Sequence, residues 1–173
     1  MKKRPYADDR SRLWLLLSQT RHAIVKLRQR ELASLGLSSI EVGVMTIVDS
    51  LDYSEATPAN IARFFLREPH AISQLLNRME NKGLVKKQKD LKPKNLVRIE
   101  LTEKGHEAYK KGKNRKIIKK IMNRLSEKQR NELESYLRIL LQTAMLELNL
   151  EDTIMERTLA MTPLSDLQEE LER

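Results

Sequence analysis

The chain has 173 residues and a formal net charge of +9 at pH 7, because 33 lysines and arginines outnumber 24 aspartates and glutamates. It contains no cysteine, which excludes a disulfide framework, a cysteine-based zinc site and a thiol nucleophile or sensor. No apolar run approaches the roughly 18 residues of a membrane span, and helix-forming residues dominate over glycine and proline, so we expect a mostly helical, cytoplasmic protein with no membrane partner.

Two helices are predicted at the start of the chain. Apolar residues recur at helical spacing over residues 10–33, and Gly36 suits the turn that follows. Ser38 and Glu41 have the spacing of a capping box, which predicts a second helix reaching Leu51.

Two shorter helices follow, separated by a proline. Thr57 can cap the first of them, and Pro58 suits its first helical position. Pro69 begins the second helix and Gly83 ends it. Apolar residues of this second helix recur at i, i+3, i+4 and i+7, which predicts one core-facing side and one polar side.

From Leu84 the hydrophobic period changes from helical to two. Residues 97–101 alternate between apolar and charged side chains, which is typical of a half-buried strand. Residues 84–89 can pair with that strand across a tip at residues 90–94. The pattern predicts a small two-stranded hairpin.

Two further helices are predicted after the hairpin, over residues 102–125 and 126–148. Thr102 can cap the first, which is densely basic and contains two weakening glycines. Ser126 and Gln129 have a second capping-box spacing, and the helix that follows carries a wide apolar stripe.

The charge is distributed unevenly along the chain. Residues 78–120 contain sixteen lysines and arginines but only five acids, whereas residues 149–173 form an acidic tail with a charge of −5. The tail has a candidate short helix beginning at Thr162. A solvated helix face is the usual fate of a charge run, but this local excess of positive charge also favours a polyanionic partner.

Two short helices joined at Pro69, followed by a basic hairpin, have the plan of a winged helix-turn-helix. In that plan the second helix enters the major groove of DNA, and the hairpin wing contacts the backbone or the minor groove. Glutamine and asparagine can pair with adenine, and arginine with guanine or phosphate. We therefore predict a recognition helix that binds DNA through His70, Ser73, Gln74, Asn77 and Arg78, and a wing that binds DNA through Lys92, Lys94 and Arg98.

Two segments resemble the MarR family of bacterial and archaeal transcription regulators. Residues 77–85 are similar to the family's Arg-Leu-Glu-x-x-Gly-Leu-Val pattern at the end of the recognition helix, with Met79 in place of leucine. Residues 97–105 resemble its wing exit into a Leu-Thr-x-x-Gly helix start. The resemblance spans about residues 10–148, and it implies a homodimer formed by the first and last long helices.

The wing tip departs from the family pattern. The family commonly has Asp-x-Arg or Asp-Arg-Arg there, and the corresponding positions hold Pro93, Lys94 and Asn95. Lys94 keeps the positive charge without the planar fork of arginine, so its contact with the minor groove is a hypothesis. Gln74 stands where many relatives are basic, which predicts a different operator.

The predicted fold is mostly α with a two-stranded β wing, in one MarR-type domain over residues 10–148. The stripe over residues 133–148 is more apolar than a lone helix on a small domain requires, which agrees with a dimer; a packed monomer core is the alternative. A twofold dimer predicts a pseudo-palindromic operator in double-stranded DNA. We expect the regulator to act as a repressor, and the sequence leaves activation open. The parts of the domain are a reading head at about 38–101, with the helix-turn-helix at 57–82 and the wing at 84–101, and dimerisation helices at 10–33 and 102–148.

Other functions leave little trace in the sequence. It has no glycine-rich phosphate loop, no Gly-x-Ser-x-Gly and no His-Glu-x-x-His, and its three histidines are far apart. We therefore expect no enzymatic activity, no metal and no cofactor. The alternative function is a winged-helix module that binds protein or RNA instead of operator DNA.

A small-molecule effector is a further candidate partner. The resemblance implies that a ligand can bind between the dimer region and the reading head and alter the spacing of the two heads. The candidate residues for the border of such a cavity are Trp14, His22 and Tyr53, and the identity of the effector stays open.

Overall fold

The structure is a computed structural model, and it describes residues 8–89 and 96–149. Over these residues the chain forms seven α-helices and one two-stranded antiparallel sheet, and none of the helices is long and apolar enough to cross a membrane. The predicted wing tip and the predicted tail helix lie outside the described residues. In chain order the elements are α1 (Asp9–Ala33), α2 (Ser39–Ser50), a 3-10 turn (Tyr53–Glu55), α3 (Pro58–Phe64), α4 (Pro69–Asn81), β1 (Val85–Lys89), β2 (Val97–Leu101), α5 (Glu103–Gly112), α6 (Lys116–Met122) and α7 (Glu127–Glu147).

Local capping determines where several of these helices begin. Capping boxes open α2, at Ser38 and Glu41, and α7, at Ser126 and Gln129. Threonine side chains cap α3 and α5 by accepting a hydrogen bond from a backbone N–H three residues on. These caps satisfy backbone donors that have no partner within the helix, and they confirm the predicted helix starts.

One hydrophobic core holds α2, α3, α4 and the sheet together. Its most buried side chains come from all of these elements, because Met45, Ile61, Ile72, Leu76 and Ile99 are each at most 1% exposed. Burying a side chain of this size contributes about 1.5–3 kcal/mol. The core therefore fixes α4 with its apolar stripe inward, which confirms the predicted helical period.

Strand β2, at the base of the wing, is hydrogen-bonded along both of its edges. β1 and β2 pair antiparallel, with Val85 opposite Leu101. The N–H of Ile99 also donates to the carbonyl of Ala56 at 2.8 Å, so β2 is joined to the segment before α3. Ile99 and Leu101 are buried, which confirms the predicted alternation along this strand.

The predicted single helix over residues 102–125 is wrong, because the chain forms two helices with a break at residues 113–115. The buried side chain of Arg28, on α1, lies at this break. Its guanidinium donates to the carbonyl of Gly112 and, at 3.1 Å, to the carbonyl of Asn114. These hydrogen bonds satisfy both carbonyls, so the chain can leave the helical path without burying an unpaired group.

Gly105 has a packing role in addition to its predicted weakening of α5. A Cβ atom at this position would overlap the carbonyl oxygen of Leu84. Because glycine has no Cβ, α5 can begin directly beside the segment that ends the recognition helix. The first turn of α5 is thereby held against the reading head.

Candidate nucleic-acid interface

The predicted recognition helix, α4, presents its polar face to solvent. Glu68 occupies the N-cap position without a side-chain cap hydrogen bond, and Pro69 is the first helical residue. The structure brings together on this exposed face all five side chains predicted to bind DNA from this helix: His70, Ser73, Gln74, Asn77 and Arg78.

These polar side chains differ in how many hydrogen-bonding groups they leave available. The hydroxyl of Ser73 donates to the carbonyl of Pro69 at 3.0 Å, and Oδ1 of Asn77 accepts a hydrogen bond from Lys87. The side chains of Gln74 and Arg78 have no hydrogen bond or ion pair within residues 8–89 and 96–149. Gln74 can therefore offer both its donor and its acceptor to an adenine edge, and Arg78 its whole guanidinium to guanine or phosphate.

Lys87, on β1, connects the wing to the recognition helix. Its Nζ lies 3.0 Å from Oε2 of Glu80, and its backbone N–H donates to Oε1 of the same carboxylate at 3.1 Å. The hydrogen bond from Lys87 lowers the pKa of Glu80 below its usual value. Lys87 therefore orients Asn77 and Glu80, and its charge is partly neutralised within the protein.

Lys82 fixes the carboxyl end of α4 to α2. Its Nζ lies 2.8 Å from Oε1 of the buried Glu41 and 3.3 Å from the carbonyl of Gly36. Burial alone would raise the pKa of Glu41, but the hydrogen bonds from Lys82 and Ser38 outweigh that effect and lower it. Glu41 thus stays ionised while it joins the capping box of α2 to the end of the recognition helix.

Sequence reasoning assigned no role to Glu41 or Glu80 beyond their local patterns. The capping-box spacing was a signal for the role of Glu41 at α2, but its contact with Lys82 spans 41 positions of sequence. Glu80 lies within the segment that resembles the MarR pattern, and its pairing with Lys87 requires the chain to return over α4.

Of the three residues predicted to bind DNA from the wing, the structure describes one. Arg98 is half-buried, and its guanidinium donates to the carbonyl of Ser54 in the 3-10 turn. Lys92 and Lys94 lie outside the described residues. Arg98 is therefore bonded to the base of the wing, and the part of the prediction that concerns the tip stays a prediction.

The structure describes the side chains of two of the three candidate effector residues, so their placement at the border of a cavity stays a prediction. Trp14 is 67% exposed on α1, His22 is also exposed there, and Tyr53 belongs to the 3-10 turn, with its side chain outside the described part of the chain. A cleft of about 530 Å³ opens elsewhere, between α1, the loop after it, α2 and α4. Its lining includes Gln29, Leu37, Glu41, Leu75, Arg78 and Lys82.

The described residues contain no group of three or more histidines, aspartates and glutamates close enough to hold a metal ion. The groups available for chemistry at α4 are amide, guanidinium and imidazole side chains. These groups can form hydrogen bonds and ion pairs with base edges and phosphates.

Comparison with known proteins agrees with this geometry. Residues 37–105 match the family model of a winged helix DNA-binding domain. The organohalide-sensing transcriptional regulator RdhR, in its ligand-free form, is 31% identical, with a TM-score of 0.73 and a match that covers 84% of this chain and 90% of that one. No curated protein matches the chain.

Two further structures share the fold at lower identity. AbsC, a MarR family transcriptional regulator from Streptomyces coelicolor, is 16% identical with a TM-score of 0.73, and the match covers 82% of this chain and 98% of AbsC. A mutant MarR from E. coli complexed with operator DNA is 19% identical with a TM-score of 0.67, and the match covers 75% of this chain and 93% of that one. The winged-helix match, the relation to RdhR over most of both chains and the fold shared with AbsC and MarR together show that the chain belongs to the MarR family of transcriptional regulators.

Proposed function

We propose that the chain is a homodimeric repressor that reads a pseudo-palindromic operator through α4 and releases it when a small molecule binds. The observation that supports this proposal most directly is the exposed polar face of α4, on which Gln74 and Arg78 are unengaged within the described residues. Lys82 and Lys87 fix the helix to α2 and to the wing. A helix held in this way loses little free energy to ordering when it enters the major groove.

Exposed apolar side chains on α1 and α7 support the homodimer. Leu13, Trp14 and Leu16 are 65–67% exposed, and Tyr136 and Ile139 are 61–62% exposed. Monomeric proteins rarely leave so many large apolar side chains in water. A second copy of the chain would cover them and place two α4 helices about one turn of DNA apart.

Repression follows from where such a dimer sits. A protein that occupies two successive major grooves within a promoter excludes the transcription machinery from that segment. The target genes are those that lie next to the operator. Footprinting of the intergenic DNA near the gene for this chain identifies the operator and the target genes together.

The cleft between α1 and α4 supports release by an effector. Its volume of about 530 Å³ lies within the range of small-molecule sites, and Arg78 belongs both to its lining and to the polar face of α4. A compound bound there competes with DNA for Arg78, so the two affinities are coupled reciprocally. RdhR has been solved with 2,4-dichlorophenol, which is therefore the first compound to titrate against the operator complex.

Selection of duplexes from a random-sequence pool tests the proposal. We expect the full chain to enrich a sequence with twofold symmetry and to lose about 10³–10⁵ in affinity for it between 50 and 200 mM salt. Enrichment of no duplex, together with salt-insensitive capture of a protein or a single-stranded RNA, would support the alternative function instead.

A further inference from the structure

A second basic surface lies outside the predicted recognition helix and wing. Residues 108–126 contain eight lysines and arginines and no aspartate or glutamate, and all eight basic side chains are exposed. Lys116 and Lys120 are four residues apart on α6, so they share one side of the helix, and Arg124 follows in the turn after it. We call residues 110–124 the α5–α6 basic surface.

Glu31, the acidic residue of α1 that reaches α6, already has a hydrogen-bond partner and an ion-pair partner. The carboxylate of Glu31 accepts the N–H of Ile117 at 3.3 Å and pairs with Arg28 at 2.5 Å. Arg115, at the N-cap position of α6, makes no side-chain cap hydrogen bond, and Lys116 follows it. Positive charge is unfavourable at a helix amino terminus, so helix stability does not account for the two basic residues at this position.

The chemistry of the surface selects duplex phosphates among polyanions. Residues 110–124 contain no aromatic side chain, and the adjacent Tyr109 is half-buried with the ammonium of Lys113 at 5.7 Å from its ring centroid, so it offers no free platform for stacked RNA bases. No large apolar side chain of α5 or α6 is exposed, whereas a helix that lies on a membrane inserts such side chains. Lysines dominate, and they contact phosphates without reading sequence.

The surface is also displaced from the half-site that α4 would read. α5 begins beside the end of α4, where the hydroxyl of Thr102 donates to the carbonyl of Gly83 at 2.6 Å. The ten residues of α5 carry the chain about 15 Å further, and α6 then packs against α1. When the reading head holds a DNA duplex, the flanking phosphates of that duplex are present at a high effective concentration. The basic surface should therefore bind these phosphates in preference to those of a separate duplex.

We propose that the α5–α6 basic surface is a second, sequence-independent contact with duplex DNA, and that it binds phosphates flanking the operator half-sites. This inference rests on the proposed function in one respect, namely that the reading head binds DNA. It predicts a longer footprint and a steeper salt dependence than α4 and the wing produce alone.

The test measures fluorescence anisotropy of the full-length chain with three labelled duplexes. One is trimmed to the selected half-sites, one is extended by about ten base pairs at each end, which is one helical turn, and one has the extended length and an unrelated sequence. The double variant Lys116→Gln/Lys120→Gln is compared with Arg21→Gln/Lys26→Gln, which removes two exposed charges from α1. Circular dichroism and molecular mass show that each variant is folded and unchanged in assembly, and Lys111→Gln/Arg124→Gln replaces the first pair if that pair misfolds.

We expect the α6 variant to bind both extended duplexes about tenfold more weakly and to lower the slope of log K against log salt by about 0.9 for each phosphate that it no longer neutralises. Binding to the trimmed duplex and the preference for the selected sequence should not change. Equal binding by the α6 and α1 variants would overturn the inference, and so would an equal loss on trimmed and extended duplexes. Binding to the unrelated duplex does not require an operator, so it tests the basic surface independently of the proposed function. The proposed function fails instead if the chain selects no sequence.

Discussion

The reading head buries a much larger fraction of its residues than the two long terminal helices, α1 and α7. Six of the twelve residues of α2 are buried, whereas α1 buries only Arg28 and Leu32 of its 25 residues and α7 buries only Met145 of its 21. The reading head therefore has a complete core within one chain. The terminal helices keep large apolar side chains in water, which the proposed homodimer would cover.

A charge on the exposed apolar side of α7 should break the assembly and leave the reading head intact. Leu140, on α7, is 56% exposed, and Leu140→Glu places a charge within the proposed interface. We expect the mass in solution to fall from about 40 kDa to the 20.2 kDa of one chain, because an interface cannot bury an unpaired charge. Light scattering at micromolar concentration measures this.

Gln142→Glu is the matched control, since Gln142 projects from another side of α7 two residues further on. It should remain dimeric. A wild-type mass of one chain would contradict the dimer directly, and so would a Leu140→Glu variant that keeps the dimer mass.

The second prediction compares how much the core of the reading head and α7 each contribute to the stability of a single chain. In the monomeric Leu140→Glu background, Leu76→Ala should lower the free energy of unfolding by about 2–5 kcal/mol, because it opens a cavity in a fully packed core. Leu137→Ala on α7, where the side chain is 40% exposed, should cost about 1 kcal/mol or less. Equal losses in urea titrations would show that α7 is packed without a partner.

The third prediction concerns the contact that joins α1 to the break between α5 and α6. Arg28→Met keeps most of the side-chain volume but leaves the carbonyls of Gly112 and Asn114 without their donor. We expect a loss of about 1–3 kcal/mol in the free energy of unfolding and faster amide exchange around residues 113–117. Arg30→Met, at an exposed position on the same helix, is the control, and a loss as large there would remove the role assigned to Arg28.

The fourth and smallest stability effect is pH-dependent and tests how α4 is fixed to α2. Burial tends to raise the pKa of Glu41, but the hydrogen bonds from Lys82 and Ser38 hold that pKa below its usual value near 4.5. Because the pKa is lower in the folded state, the stabilisation is present above that usual value and is lost as pH falls through the lowered one. Glu41→Gln should therefore flatten the fall in unfolding free energy as the pH drops below about 4.5, and an unchanged pH profile would argue against this contact.

The features predictable from the sequence are those that depend on near neighbours. Helix starts at Ser38, Thr57, Thr102 and Ser126 need only a side chain and a backbone N–H three residues away, and the strand alternation needs only a period of two. The position of the polar face of α4 follows from helical spacing in the same way.

The features that sequence reasoning missed depend on distant parts of the chain. The break after Gly112 is stabilised by Arg28, which lies 84 positions earlier. Lys87 belongs to the predicted basic hairpin, but its side chain contacts Glu80 and Asn77, because β1 returns across α4. The cleft between α1 and α4 also exists only once those helices are packed, so no local pattern could have indicated it.

The variant Gln74→Ala tests directly whether α4 reads bases. Binding to the selected operator, and to a copy with each adenine changed in turn, is compared for wild type, Gln74→Ala and the control Gln142→Ala. We predict that Gln74→Ala weakens operator binding by about 1–3 kcal/mol and abolishes discrimination at one base pair per half-site, while the control does neither. Unchanged affinity and unchanged discrimination at every position would contradict the assignment of α4 as the recognition helix.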